Sequence, residues 1–192
     1  MSTAVTTPTQ GSKASQWKID PQHSAAHFSV RHLMISNVRG EFTKMTGSAV
    51  IDPADPTKSN VEVEIDANSV NTREPQRDDH LRSPDFFDVA NHPTLTFRST
   101  RIDANGGDEL KLTGNLTIRG VTKSVTFNVE GPTPTIKDPY GNLRVGISAA
   151  TKINRKDFGL AFHALTETGG VMVGDEVKIT LEAELVQQAP TA

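Results

Sequence analysis

The sequence predicts an all-β domain of about eight antiparallel strands, interrupted by one short helical insertion. Apolar and polar residues alternate along most of the chain, as in strands that bury one face. Turn-forming residues separate the alternating segments at short intervals, which favours antiparallel neighbours. Within the predicted folded part, the polar stretch 71–92 breaks this pattern.

The predicted strands follow one another from residue 26 to residue 185. They are centred on Ala26–Val30, Ala49–Ile51, 61–66, Leu95–Phe97, 110–118, 121–129, 143–149 and 177–185. Arg119-Gly120 separates two of them so closely that a hairpin is predicted. Strands of this kind form either a sandwich or a barrel, and the periodicity does not choose between the two.

Residues 71–92 contain the helical part of the prediction. Asn71 or Thr72 is placed to cap a short helix with Pro75 in its first turn. Ser83-Pro84 is placed to cap a second helix that carries Phe86 and Phe87. Such an insertion is either a plug that closes one end of a barrel or a gate over a cavity, and both roles stay open.

Composition favours one globular domain and excludes several kinds of site. The chain has 192 residues, 35% hydrophobic and 22% charged, which suffices for one core. A net charge of −3 argues against a nucleic-acid surface, and the lack of cysteine excludes disulfides and thiolate metal sites. No apolar run approaches the roughly 18 residues that span a bilayer, so no membrane span is predicted.

We divide the chain into a disordered leader (1–15), a folded domain (16–186) and a flexible tail (187–192). No secretory signal peptide is visible at the N-terminus. The chain as printed is therefore expected in the cytoplasm. If a signal was removed before numbering, the expected location is the periplasm or the outside of the cell.

The histidines do not predict a metal centre. His23 and His27 are four residues apart on a predicted strand, so they would not converge, and His27 and His32 face opposite sides of it. No HxH or HExxH motif is present. We therefore expect neither a bound metal nor a cofactor.

Two polar clusters each allow two interpretations. Asp78-Asp79-His80 is either an acid–base cluster or, as we favour, a charged helix face with an Asp78–Arg82 pair. Arg155 either meets an anionic group or bonds carbonyls at a barrel rim, with Phe158 as a core plug. We favour the structural role for Arg155 as well.

A closed sheet of this size has room for its own side chains or for one ligand. Strands of about nine residues give a narrow tube about 30 Å long. Its inward face is apolar, and Gly114 and Ala149 leave space there. The tube suits a long, thin apolar guest, but the same side chains are also able to fill it.

Four stretches together resemble the YceI-like family of lipid-binding proteins. The first is Trp17–Phe42, with Trp17-Lys18-Ile19-Asp20, Arg31-His32-Leu33 and Gly40-Glu41-Phe42. The second is Arg77–Ser99, with Arg77–Phe87, His92-Pro93 and Thr96–Ser99, and the third is Leu112–Lys123. The fourth comprises Asp138-Pro139-Tyr140-Gly141, Arg155–Gly159 and Glu176-Val177. Met34 and His92 depart from the pattern usual in the family. The resemblance implies a lipocalin-like antiparallel β-barrel, often dimeric, with a long apolar pore for polyisoprenoid lipids such as isoprenoid quinones or prenyl phosphates.

From these observations we expect a non-enzymatic protein that binds and carries or sequesters a long-chain amphiphilic lipid, and we favour a polyisoprenoid. We expect no nucleic-acid partner, and the resemblance implies a homodimer. The expected ligand-binding residues are Phe28, Val30, His32, Phe42, Met45, Arg77, His80, Phe86, Phe87, Phe97, Phe127, Ile147, Arg155, Phe158, Phe162 and Met172. One rival hypothesis is a barrel enzyme that uses His32 and Asp157 as acid and base. Another is a filled barrel that acts as a scaffold.

Overall fold

A computed structural model describes residues 14–104, 109–163 and 172–189 of the chain. Its strands are β1 (Ser15–Ile19), β2 (Ala25–His32), β3 (Ser36–Phe42), β4 (Met45–Ile51), β5 (Asn60–Asp66), β6 (Val70–Asn71), β7 (Thr94–Ala104), β8 (Glu109–Ile118), β9 (Val121–Glu130), β10 (Ile136–Lys137), β11 (Leu143–Asn154) and β12 (Val173–Gln187). The helix α1 spans Pro75–Arg82. Short 3-10 turns lie at Pro56–Lys58, Ala67–Ser69 and Arg155–Phe158.

Eight antiparallel strands close into a ring in the order β11-β9-β8-β7-β5-β4-β1-β12. The β11–β12 pairing closes it, with register from Arg144 opposite Val186 to Asn154 opposite Glu176. Beyond β12, the strands β2, β3 and β6 continue the sheet, and β10 adds to β11. The fold is therefore a barrel rather than a sandwich.

The two ends of the barrel are distinguished by the strand pairs that lie there. At the end that we call upper, His32 of β2 pairs with Val173 at the start of β12. At the lower end, Ser15 of β1 pairs with Ile51, and Trp17 pairs with Gln187 near the end of β12. Among the residues that the structure describes, no helix is long and apolar enough to cross a bilayer.

All eight predicted strands are present, and four more were not predicted. Two of the additional strands, β6 and β10, have only two residues each, too few to show a period. The strand β3 (SNVRGEF) carries few apolar residues, and β1 lies at the edge of the predicted leader. Ser15 and Gln187, which we assigned to the leader and the tail, belong to strands; residues 1–13 and 190–192 lie outside the described part.

The predicted hairpin at Arg119-Gly120 is confirmed. Ile118 pairs with Val121, so the loop between β8 and β9 has two residues. Both have positive φ, 50° at Arg119 and 73° at Gly120. Two consecutive positive φ angles are typical of the hairpin turn whose twist matches that of the strands.

The helical insertion differs from the prediction in two details. The capping residue of α1 is Glu74 rather than Asn71 or Thr72; its carboxylate accepts from the backbone N–H of Gln76, and Pro75 begins the helix as expected. The prediction of a second helix is wrong, because Phe86 and Phe87 lie in turns. The N–H of Phe87 donates back to the carbonyl of Leu81 at 2.9 Å, which reverses the chain over the end of α1.

Candidate functional site

An apolar cavity of about 330 Å³ occupies the upper part of the barrel lumen. We call it the upper cavity. Its wall comes from β2, β3, β5, β7, β8, β9, β11 and β12 and from the insertion that contains α1. Several strands thus contribute alternate residues to one lumen, as the two-residue period predicted.

The inward side chains do not fill this part of the barrel. Residues whose side chains line the cavity would be fully buried in a packed interior. Several of them are only half-buried, although they lie on the inward face; they are Val30, Ile65, Val177, Ile179 and Leu181. Their remaining exposed surface faces the lumen, so the barrel is hollow here.

Three rings close over the cavity beside α1. The His80 ring meets Phe86 and Phe162 edge to face, with centroids 5.0 and 4.9 Å away. The Phe86 and Phe162 centroids are 4.9 Å apart. His80 Nε2 also lies 3.0 Å from a carboxylate oxygen of Asp85. This aromatic cluster, His80, Phe86 and Phe162, holds the segment after α1 against the mouth of the cavity.

The helix α1 is anchored through Thr72. The Asp78 carboxylate accepts from the backbone N–H of Thr72 at 2.8 Å and from its hydroxyl at 2.5 Å. Arg77 donates from Nε to the same hydroxyl oxygen and from Nη2 to the Thr72 carbonyl, at 2.7 and 2.9 Å. Asp78 and Thr72 are both buried. The predicted Asp78–Arg82 pair is wrong, because Arg82 pairs with Asp79.

Arg155 bonds carbonyls at the upper rim. It is 4% exposed and donates to the carbonyl oxygens of Gly174, Leu160 and Val173 at 2.9, 2.5 and 3.3 Å. A carboxylate oxygen of Asp175 lies 3.2 Å away. Arg155 still borders the cavity, but most of its donors hold β12 against the turn after β11.

The structure brings most of the predicted ligand-binding residues into one wall. Those that line the upper cavity are Phe28, Val30, His32, Phe42, Arg77, His80, Phe86, Phe87, Phe97, Phe127, Arg155, Phe162 and Met172. Phe158, at 1% exposed, and Met45 lie in the core instead. Ile147 lines a different cavity nearer the lower end.

Sequence reasoning did not single out other lining residues. Val38, Leu81, Ile153 and Leu95 also border the upper cavity. Leu95 belongs to a predicted strand and shares the inward face of β7 with Phe97, so the alternation was a usable signal. Leu81 lies on α1, where no such period exists.

The acid–base pair of the rival enzyme hypothesis is not assembled. Within the described ranges, no hydrogen bond or ion pair joins His32 and Asp157, and Asp157 lies on the exposed side of the 3-10 turn that buries Phe158. His32 borders the upper cavity. The Asp78-Asp79-His80 cluster is also divided, because each side chain has a different partner.

Arg144 forms a separate polar cluster on the outside of the barrel. Its guanidinium donates to Asp20 and Asp138, each at 2.7 Å, and to Glu184. Hydrogen bonds from Arg144, then from His23, hold the pKa of Asp20 far below its usual range. Arg144 and Asn142 lower the pKa of Asp138 in the same way. Asp20, His23 and Glu184 offer ligand atoms within 4.8 Å of one another, but Arg144 already neutralises both carboxylates.

Comparison with known proteins gives consistent matches over the folded region. The family model described as the YceI-like domain matches residues 17–185. A UPF0312 protein of Pseudomonas aeruginosa is 38% identical over 181 residues, 91% of this chain and 88% of that protein. Protein YceI of Salmonella newport is 39% identical over the same length and shares of the two chains.

Solved structures match the barrel as well. The Campylobacter jejuni YceI protein is 33% identical, with a TM-score of 0.70 over 83% of this chain and 90% of that one. BcnA of Burkholderia cenocepacia is 25% identical, with a TM-score of 0.74 over 86% and 98%. A polyisoprenoid binding domain from Saccharophagus degradans is 19% identical, with a TM-score of 0.66 over 92% and 100%; this likeness concerns the fold alone.

Proposed function

We propose that this chain, which belongs to the YceI-like family, binds the apolar tail of a long-chain amphiphilic lipid in its upper cavity. The observation that carries the proposal is the wall of half-buried, inward-facing apolar side chains around that cavity. Exposed apolar surface inside a barrel is costly in water. A guest of matching shape and polarity removes that cost.

Burial of the tail supplies the binding free energy. Each methylene group removed from water contributes about 0.8 kcal/mol. Burial of about ten such groups contributes about 8 kcal/mol, from which the costs of association are subtracted. The cavity offers this contact without any covalent chemistry.

A polyisoprenoid is the lipid class that we favour. A polyisoprenoid binding domain has the same fold, and an unbranched apolar tube suits a thin, flexible chain. The polar head would lie at the upper rim, where Arg31, His32, Arg77 and His80 border the cavity. Donors of this kind bind a phosphate or a quinone oxygen.

Carriage or sequestration follows from this type of binding. The lipid would be held in the barrel and released when the aromatic cluster and α1 move away from the mouth. We also propose that the chain forms a homodimer in solution. Both proposals are separate from tail binding and are tested separately.

The direct test is native mass spectrometry of freshly purified protein, followed by organic extraction and identification of the released lipid. We expect a stoichiometric long-chain prenyl species, and the same spectrum gives the oligomeric state. Protein that arrives empty is then offered isoprenoid quinones and prenyl phosphates. Failure to take up any of them would overturn the lipid-binding proposal.

A further inference from the structure

A second cavity, of about 980 Å³, lies in the lower part of the same lumen. It has about three times the volume of the upper cavity, at about 330 Å³. We call it the lower cavity. Its wall includes Trp17, Ala149, Ala183 and Leu185 from the strands at that end. Of the predicted ligand-binding residues, Ile147 lines the lower cavity and not the upper one.

Two phenylalanines separate the cavities. Phe97 of β7 and Phe127 of β9 line both of them, and their rings meet edge to face with centroids 5.2 Å apart and planes at 79°. Val63 and Leu181 also border both cavities. We call the Phe97–Phe127 pair the aromatic partition. It interrupts a lumen that is apolar on both sides.

The backbone makes room for this partition. A Cβ atom at Gly114 of β8 would lie 2.4 Å from Cζ of Phe97, so the ring occupies the space above that glycine. The space predicted at Gly114 is therefore filled by Phe97. Phe97 and Phe127 are 7% and 3% exposed, so both rings are packed between the two cavities. Rotation of a ring to another rotamer is one change that would join the two cavities.

We propose that the aromatic partition opens for long lipid tails and that the lower cavity holds the part of the tail beyond it. This inference rests on the proposed function, because it assumes that the upper cavity binds the first part of the tail. Each further methylene group buried below the partition adds to affinity. The partition thereby selects for chains long enough to occupy both cavities.

Trp17 makes the inference measurable. It is the only tryptophan of the chain, it is 5% exposed, and it lines the lower cavity. Its indole N–H already donates to Ser15 Oγ at 2.8 Å. A bromine atom at the tip of a lipid tail quenches tryptophan emission on contact. Quenching therefore reports that the tip has reached the lower cavity.

The experiment uses prenyl alcohols of increasing length, geraniol, farnesol, geranylgeraniol and solanesol, each with a bromine at the tail tip. We expect geraniol to bind without quenching Trp17 and the long chains to quench it on binding. In Phe97→Ala, quenching should begin at a shorter chain. Binding of every chain without quenching would overturn this inference and leave the proposed function intact, whereas binding of none would overturn the proposed function.

A second variant tests the volume below the partition. Ala183→Phe places a ring in the lower cavity, and Ala150→Phe places one on the exposed face of β11 as the matched control. We expect Ala183→Phe to weaken binding of the long chains by about tenfold, the equivalent of about two buried methylene groups, and to leave geraniol binding unchanged. Equal losses at all lengths, or no loss in a folded variant, would contradict the inference. If Ala183→Phe does not fold, quenching in the wild-type protein still decides it.

Discussion

The Asp78 carboxylate holds Thr72 through two hydrogen bonds, one from the backbone N–H and one from the hydroxyl, at 2.8 and 2.5 Å. The two residues are six positions apart, so their contact ties the start of the insertion to α1. Arg77 adds a third donor to the Thr72 hydroxyl oxygen, at 2.7 Å. This buried contact helps to fix the orientation of α1 over the upper cavity, together with Arg82, which donates to the carbonyl oxygens of Asn68 and Val70.

Asp78→Ala should loosen the insertion. It leaves the buried N–H of Thr72 without its acceptor, at a cost of about 1–3 kcal/mol. Hydrogen exchange should quicken in α1 more than in the barrel strands. Asp79→Ala is the matched control, since exposed Asp79 pairs with Arg82 at the surface and such pairs contribute about 0–1 kcal/mol. Equal exchange in the two variants would show that the Thr72 contact does not anchor α1.

A charge in the wall should abolish lipid retention. Ile179 is half-buried and lines the upper cavity, whereas its neighbour Thr180 is exposed on the outer face of β12. Ile179→Lys places an ammonium group in an apolar lumen, where an unpaired charge is costly and attracts water. Extraction should yield no lipid from Ile179→Lys and the wild-type amount from Thr180→Lys. Full lipid retention in folded Ile179→Lys would show that the surface around Ile179 is not part of the binding site.

Loss of one ring at the mouth should speed lipid release. Phe86→Ala removes contacts with His80 and Phe162, and an aromatic pair is worth about 0.5–1.5 kcal/mol. Transfer of a fluorescent prenyl lipid to acceptor vesicles should quicken by about two- to tenfold. Asp85→Asn, which changes the partner of His80 and keeps every ring, is the control. If both variants release at the wild-type rate, the aromatic cluster does not limit release.

Stability should depend on pH through Arg144. The lowered pKa values of Asp20 and Asp138 mean that the unfolded chain binds more protons than the folded chain in acid. The stabilisation is complete above the ordinary value of 3.8 and is lost as the pH falls toward the lowered pKa of the folded protein. Thermal unfolding should therefore separate Arg144→Gln from the wild type near neutral pH and bring the two together in strong acid.

The control for this prediction is Arg98→Gln. Arg98 lies 3.9 Å from Glu62, and both side chains are exposed, so their pairing contributes little. Its unfolding curve should follow that of the wild type at every pH. A constant difference between Arg144→Gln and the wild type down to strong acid would contradict the linkage to Asp20 and Asp138.

The strands were predictable because their signal is local. The alternation of apolar and polar residues predicted both β8 and β9, and Arg119-Gly120 predicted the turn between them. The same signal identified Phe97 and Phe127 as inward-facing. It missed β6 and β10, whose two residues carry no period, and it assigned a second helix to Phe86 and Phe87, which lie in turns set by contacts to the end of α1.

The chain alone determined which face of each strand is apolar, because a residue and its second neighbour lie on the same side of a strand. The tertiary structure decided how high in the lumen each of these residues lies. Ile147 and Phe127 are both inward-facing, yet Ile147 lines the lower cavity and not the upper one, whereas Phe127 lines both. Height depends on the stagger of neighbouring strands around the closed ring, and that stagger is fixed by pairings between residues far apart in sequence, such as Asn154 and Glu176.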